Sequence, residues 1–171
     1  MQNKSLLLVL FVLFITMVSG CVTTRAPKQA TGAATSDGMI SVLSLRGDTS
    51  SMTQDQIVEL QRVGTWMDRD IIKQLKRVGY SAKLLKSRRD FSGAGHLLII
   101  DVDKFNPGNR AARVFVGFGA GAASLDLDYQ LINSRNKRVA QWKDGVGSSK
   151  GGTYCAQTLN RNAIEQLKGK L

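Results

Sequence analysis

Histidine occurs once in this chain of 171 residues, proline and cysteine twice each, and aromatic residues make up only 6% of it. Each scarcity excludes something. With one histidine, His96, and two cysteines there is no histidine/cysteine cluster for a metal. His96 stands just before an apolar run, which marks it as a strand-edge residue rather than a ligand. Two cysteines do not make the disulfide framework of a small secreted scaffold. The apolar run Leu6 to Met17 is too short to cross a bilayer as a helix, which takes roughly 20 residues. Acidic residues are also few: 13 against 24 Lys and Arg, for a formal charge of +11. Such an excess suggests an acidic partner, or else a solvated basic surface that aids solubility.

What is present begins with the N-terminal segment. Lys4, the apolar run and the small residues Val18-Ser19-Gly20 before Cys21 have the parts of an export signal. With a cysteine at the cut, the pattern resembles a bacterial lipobox. The resemblance implies cleavage between Gly20 and Cys21, with covalent diacylglycerol and N-acyl lipid on Cys21 and no other cofactor. Two or three acyl chains hold a protein stably on a membrane. Val22 follows where an aspartate would resemble an inner-membrane retention signal, so the outer membrane, facing the periplasm, is the expected site. Residues 1–20 then form the signal peptide and 21–38 a lipidated tether of linker composition, Ala26 to Gly38 being small, polar and aperiodic. Residues 39–171 form one periplasmic domain.

Within that domain, Met39 to Leu45 alternates as a strand, and Arg46-Gly47-Asp48 makes a turn. Thr53 to Val78 carries Ile57, Leu60, Val63, Met67, Ile71, Leu75 and Val78 at helical spacing, with Gly79 as its stop. Gly64 sits inside that helix, where it permits close packing. Tyr80–Leu85, His96–Phe105, Leu125–Ile132 and Val139–Trp142 read as strands. Lys86 to Gly95 reads as a basic loop, 134–137 as a hairpin turn and Gly145 to Gly152 as a flexible loop. Thr158 to Leu167 closes the chain as a helix. The order predicts an α/β (α+β) two-layer sandwich, a mixed sheet of about five strands with two helices on one face.

Gly117, Gly119 and Gly121 lie in an apolar segment that lacks the spacing and strand–helix setting of a nucleotide fingerprint. It fits either a strand packed closely against another backbone, or a packing or membrane segment. Phe105 to Arg113, these three glycines, the strand Asp126–Ile132 and the run Tyr154-Cys155-Ala156 with Thr158-Leu159-Asn160 resemble an uncharacterised bacterial lipoprotein family, domain of unknown function 4410. The resemblance spans Ile40 to Leu167 and implies an envelope lipoprotein of unassigned activity. More loosely, the glycine segment is similar to the curli secretion channel lipoprotein. That likeness implies an oligomeric pore subunit with a membrane hairpin from residues 110–142.

Asp101 and Asp103 share one strand face, as do Asp126 and Asp128. Such pairs suit acid/base work but are more often a solvated face. No nucleophile–base pair or redox motif accompanies them, so a non-enzyme is expected. Arg88, Arg89, Arg110 and Arg113 are the candidate contacts to an anionic partner. The expected partners are a membrane through the lipid and an envelope protein or anionic lipid, with no nucleic acid; a homo-oligomer is admitted. With Cys21 lipidated, Cys155 has no intrachain partner and is expected to be buried. The role read from this is accessory: scaffolding of envelope assembly, transport or secretion.

Overall fold

The structure, a computed structural model, describes residues 38–109 and 121–171. Its elements are β1 (Met39–Leu45), α1 (Gln54–Arg77), β2 (Ser81–Leu85), β3 (His96–Asn106), β4 (Ala123–Ile132), β5 (Arg138–Ser148) and α2 (Gly152–Lys168). A single 3-10 turn, Arg88–Asp90, interrupts the connection from β2 to β3. The strands form one sheet in the order β2-β1-β3-β4-β5. β1 is parallel to both β2 and β3, whereas β3, β4 and β5 are antiparallel neighbours. This is the mixed five-stranded sheet with two helices that the alternation predicts.

Local chemistry sets α1. The Thr53 hydroxyl accepts from the Gln56 amide at 3.3 Å, and the Gln56 side chain accepts from the Thr53 amide at 2.9 Å. Two donors that the helix itself leaves unpaired are thereby satisfied. Leu60, Val63, Met67, Ile71 and Leu75 form the buried stripe. Val78, assigned to that stripe by spacing, is 41% exposed because the helix has already ended at Arg77. Gly79 at φ 98° then turns the chain back toward the sheet.

Two boundaries differ from the sequence expectation by more than a turn of chain. The glycine/serine stretch after Trp142 is not a loop through Ser148: β5 continues there, its ladder running to Ala123 opposite Ser148. β4 supplies the hydrogen bonds that this weak strand sequence could not hold alone, and a Cβ at Gly145 would fall on the Asp126 carboxylate. The last helix starts at Gly152 rather than Thr158, because Cys155 and Ala156 extend the buried stripe of Leu159, Ala163, Ile164 and Leu167.

Both helices pack on the same face of the sheet. Their stripes meet Ile40, Val42, Leu98, Ile100, Val102, Leu125, Leu127, Tyr129 and Leu131 in one core. Trp142 on the edge strand stacks on Tyr129, ring centres 4.9 Å apart and 5° from parallel. Asn160 joins the helices, donating to the Met67 carbonyl and to Asp70, both at 3.0 Å. On the opposite face Leu43, Leu85, Leu97, Ile99 and Ile132 form a smaller cluster, covered by Phe91 from the β2–β3 connection.

Arg46 turns inward. Its guanidinium meets Asp68 of α1 at 2.6 Å and Ser44 at 2.6 Å, and it crosses α1 at Gly64, where a Cβ would overlap Nε, Cζ and Nη2. The Arg-Gly-Asp triplet therefore spends its arginine on holding α1 to the end of β1.

The sheet has two distinguishable ends. β1, β2, β3 and β5 all start at one end, where Met39 lies opposite Ser81, Ile40 opposite His96, Leu97 opposite Ile132 and Ile132 opposite Arg138. We call this the entry end, since residue 38 joins the sheet there. Both helices finish there too: Gln74, Arg77 and Val78 of the first share a groove with Arg161, Ile164 and Glu165 of the second.

Candidate functional site

Two loops, far apart in sequence, meet at the entry end. In the first, Asp90 accepts from the Ser87 amide at 2.8 Å, and Phe91 is anchored in the outer apolar cluster. The turn between them thus presents Arg88 and Arg89 to solvent. In the second, the Asn133 side chain accepts from the amides of Arg135 and Lys137, both at 3.0 Å, and the Asn133 amide donates to the Lys137 carbonyl at 2.9 Å. Asn136 completes this turn at φ 57°, a conformation that asparagine tolerates better than most residues. The Arg88 guanidinium donates to Asn136 Oδ1 at 2.8 Å and joins the two loops. Arg88, Arg89, Arg135, Lys137 and Arg138 are all exposed, and among the described residues none of them forms an ion pair. Lys76 and Arg77 in the last turn of α1 add to the same end, where cations also suit the helix dipole.

Further along the outer face the sign reverses. Asp101 lies opposite Asp128, and Asp126 lies opposite Lys104. A bulge between Val102 and Lys104 leaves Asp103 as the extra residue of β3. Lys143 of β5 reaches Asp128 at 3.0 Å and Asp103 at 3.8 Å. Its ammonium is held above the ordinary lysine range, first by the hydrogen bond to Asp128 and then by the charges of Asp103 and Asp128. The two aspartate pairs read from the sequence are thus neighbours across one sheet face.

A cleft of about 470 Å³ lies at the other end, between Pro107-Gly108 and the start of α2. Its charged lining is Lys150 together with Glu59 and Arg62, and the latter two pair with each other at 2.5 Å. At this end the Asn109 amide donates to the Gly121 carbonyl at 2.9 Å. Gly108 and Gly121 approach so closely that a Cβ on Gly108 would strike the Gly121 carbonyl. The close approach depends on Gly108; Gly121, of the glycine segment, contributes its carbonyl.

The remaining site expectations fall unevenly. Gly20, Cys21, Arg110, Arg113, Gly117 and Gly119 lie outside the described residues, as does the tether through residue 37. Cys155 is buried, its Sγ 3.7 Å from the Ala123 carbonyl oxygen, and burial raises the thiol above its usual range. His96 is the first residue of β3, as expected of a strand-edge residue. Residues 123–132 and 138–142, which the membrane-hairpin reading requires, belong to the sheet, with Leu125, Leu127 and Tyr129 in its core.

A family model described as a domain of unknown function, DUF4410, matches residues 34–152. The chain belongs to the DUF4410 family. The match takes in the whole sheet and α1, and so both loops of the entry end. Of the family-like run Tyr154–Asn160, Cys155 and Asn160 are core residues of this DUF4410 domain. No curated protein matches the chain. Among solved structures, the domain is similar to a PelC dodecamer from Paraburkholderia phytofirmans, at 13% identity, 78% coverage of this chain, 88% of that one and a TM-score of 0.49. It is also similar to a neuraminyllactose-binding hemagglutinin homolog from Helicobacter pylori, at 8% identity, 86% and 89% coverage and a TM-score of 0.47. Likeness at this level transfers neither ligand nor assembly to this DUF4410 protein.

Proposed function

We propose that this DUF4410 protein is a lipid-anchored protein of the bacterial envelope that acts by binding rather than by catalysis. In this reading Cys21 carries the lipid, residues 22–38 connect it to the sheet, and the domain faces the periplasm from the outer membrane. Its role is accessory, as a scaffold in envelope assembly, transport or secretion. The observation that carries the reading is the lipobox-like run ending at Cys21, placed a short linker ahead of a domain whose first strand starts at Met39. The binding mode is supported by the most strongly developed surface, which is a charge distribution at the entry end rather than a convergence of acid, base and nucleophile.

The test is metabolic labelling with an alkyne-bearing palmitate analogue, followed by separation of inner and outer membranes on a density gradient. The wild-type chain should incorporate label and travel with the outer membrane. Cys21→Ala should lose both the label and the membrane association. Label that persists in Cys21→Ala, or an unlabelled wild type that behaves as a free periplasmic protein, refutes the reading.

A further inference from the structure

The geometry points to the entry end as a surface that lies against anionic lipid headgroups, so that the domain stands with its basic end on the membrane and the acidic part of its outer sheet face further from it. The inference rests on the lipid anchor proposed above, and three observations carry it beyond that.

The first is where the chain joins. Residue 38 leads into β1 at the same end as Arg88, Arg89, Arg135 and Lys137. An extended chain gains at most about 3.5 Å per residue, so residues 22–38 reach no further than roughly 60 Å. β3 alone, with 11 residues, is about 35 Å long. To bring the far end to the bilayer, the chain before Met39 would have to run back along the domain and spend more than half of that reach. The entry end meets the surface without this detour.

The second is charge. The turn at 88–89, the hairpin at 135–137 and the last turn of α1 come from three different elements, yet they converge on one end. An anionic bilayer surface attracts such cations, each strengthening attachment about five-fold.

The third is segregation. Two carboxylates lie at the basic end itself, Asp90, bound to the Ser87 amide, and Glu165, paired with Lys168; along β3 on the outer face the first is Asp101, five residues from His96, or about 16 Å away. That is about two screening lengths at physiological salt, so the acidic region does not cancel the field of the basic end. Among the described residues the outer face is therefore basic at the entry end and acidic further along, and an anionic plane favours the basic end.

The experiment uses the full lipoprotein purified from membranes. Single cysteines introduced as Lys137→Cys or Asp103→Cys are labelled with an environment-sensitive dye, Cys155 being buried. Each sample is reconstituted on vesicles of phosphatidylcholine, with or without a third of phosphatidylglycerol. The dye at 137 should become shielded from acrylamide on anionic vesicles only, and lose that shielding at about 0.5 M salt, where screening lengths fall to about 4 Å. The dye at 103 should stay accessible throughout. Adding Arg88→Glu and Arg135→Glu should reduce the preference for anionic vesicles by on the order of 25-fold or more, from two lost cations at about five-fold each. Equal accessibility of the dye at 137 on both vesicle types, or shielding at 103 instead, overturns the inference.

Flotation separates this outcome from failure of the anchor. Flotation at high salt with both vesicle types reports the lipid. Flotation only with anionic vesicles at low salt refutes the anchor and upholds the basic surface. Absence of flotation with either type refutes both.

Discussion

Replacing Gly64 by alanine should fail to stabilise the domain in the presence of Arg46, and stabilise it in its absence. A glycine in the interior of a helix costs about 1 kcal/mol relative to alanine, so the substitution alone favours the fold. Here a Cβ would overlap the Arg46 guanidinium. The guanidinium is the far end of a long side chain and can swing away, but only by leaving Asp68. That ion pair is 2.6 Å long, with side chains only 17% and 13% exposed. Exposed pairs contribute up to about 1 kcal/mol, whereas breaking a fully buried pair costs about 3–5 kcal/mol. A largely buried pair at the edge of the core falls between, at about 1–3 kcal/mol. The loss therefore equals or exceeds the helical gain, and Gly64→Ala should be neutral to about 2 kcal/mol destabilising. In an Arg46→Ala background nothing occupies the space, and the same change should stabilise by about 1 kcal/mol. Urea denaturation followed by far-ultraviolet circular dichroism gives all four corners of the cycle, with a coupling of about 1–3 kcal/mol expected. If Gly64→Ala stabilises both backgrounds equally, the reasoning is wrong.

Two further outcomes follow from buried groups. Burial, and after it the charge of Asp144, raise the Tyr129 hydroxyl above its ordinary value of 10.0. Above about pH 10 the unfolded chain releases this proton and the folded chain keeps it, so unfolding becomes easier by about 1.4 kcal/mol per pH unit. Tyr129→Phe should flatten that decline in denaturation curves between pH 9 and pH 11, and an unchanged slope would contradict the assignment. Cys155, buried with its thiol held above the usual range, should react with a water-soluble disulfide reagent only as fast as the domain opens. Stoichiometric reaction in the native state at pH 8 would show that the site is open.

Much of the fold was legible because it is locally encoded. Thr53, Gln56, the stripe from Leu60 to Leu75 and Gly79 specify α1 from start to stop within one stretch of chain. The alternation from Leu125 to Ile132 reads directly as a half-buried strand, and it is one. The errors lie where structure is supplied from elsewhere. Gly145 to Ser148 looks like a loop on its own composition and becomes a strand because β4 offers a complete ladder. Gly152 looks like a loop residue, and it starts a helix because it packs against Val63 and Phe105, where a side chain would not fit freely. The candidate site divides the same way. The clusters at 86–89 and 135–138 are visible as runs of cations. Their union is not, because it depends on the β2–β3 connection crossing the outer face and on a contact between Arg88 and Asn136, 48 positions apart. Likewise, period-two spacing shows each aspartate pair, but only the register of β3 on β4 sets Asp101 opposite Asp128.

The placement of both ends of the domain has a practical consequence. α2 finishes beside the last turn of α1, so Leu171 emerges at the same end as Met39. A bulky protein fused after Leu171 would therefore sit beside the basic loops and obstruct the membrane docking proposed above without altering any of their residues. A flexible spacer long enough to carry the fused partner past the basic loops would avoid that obstruction.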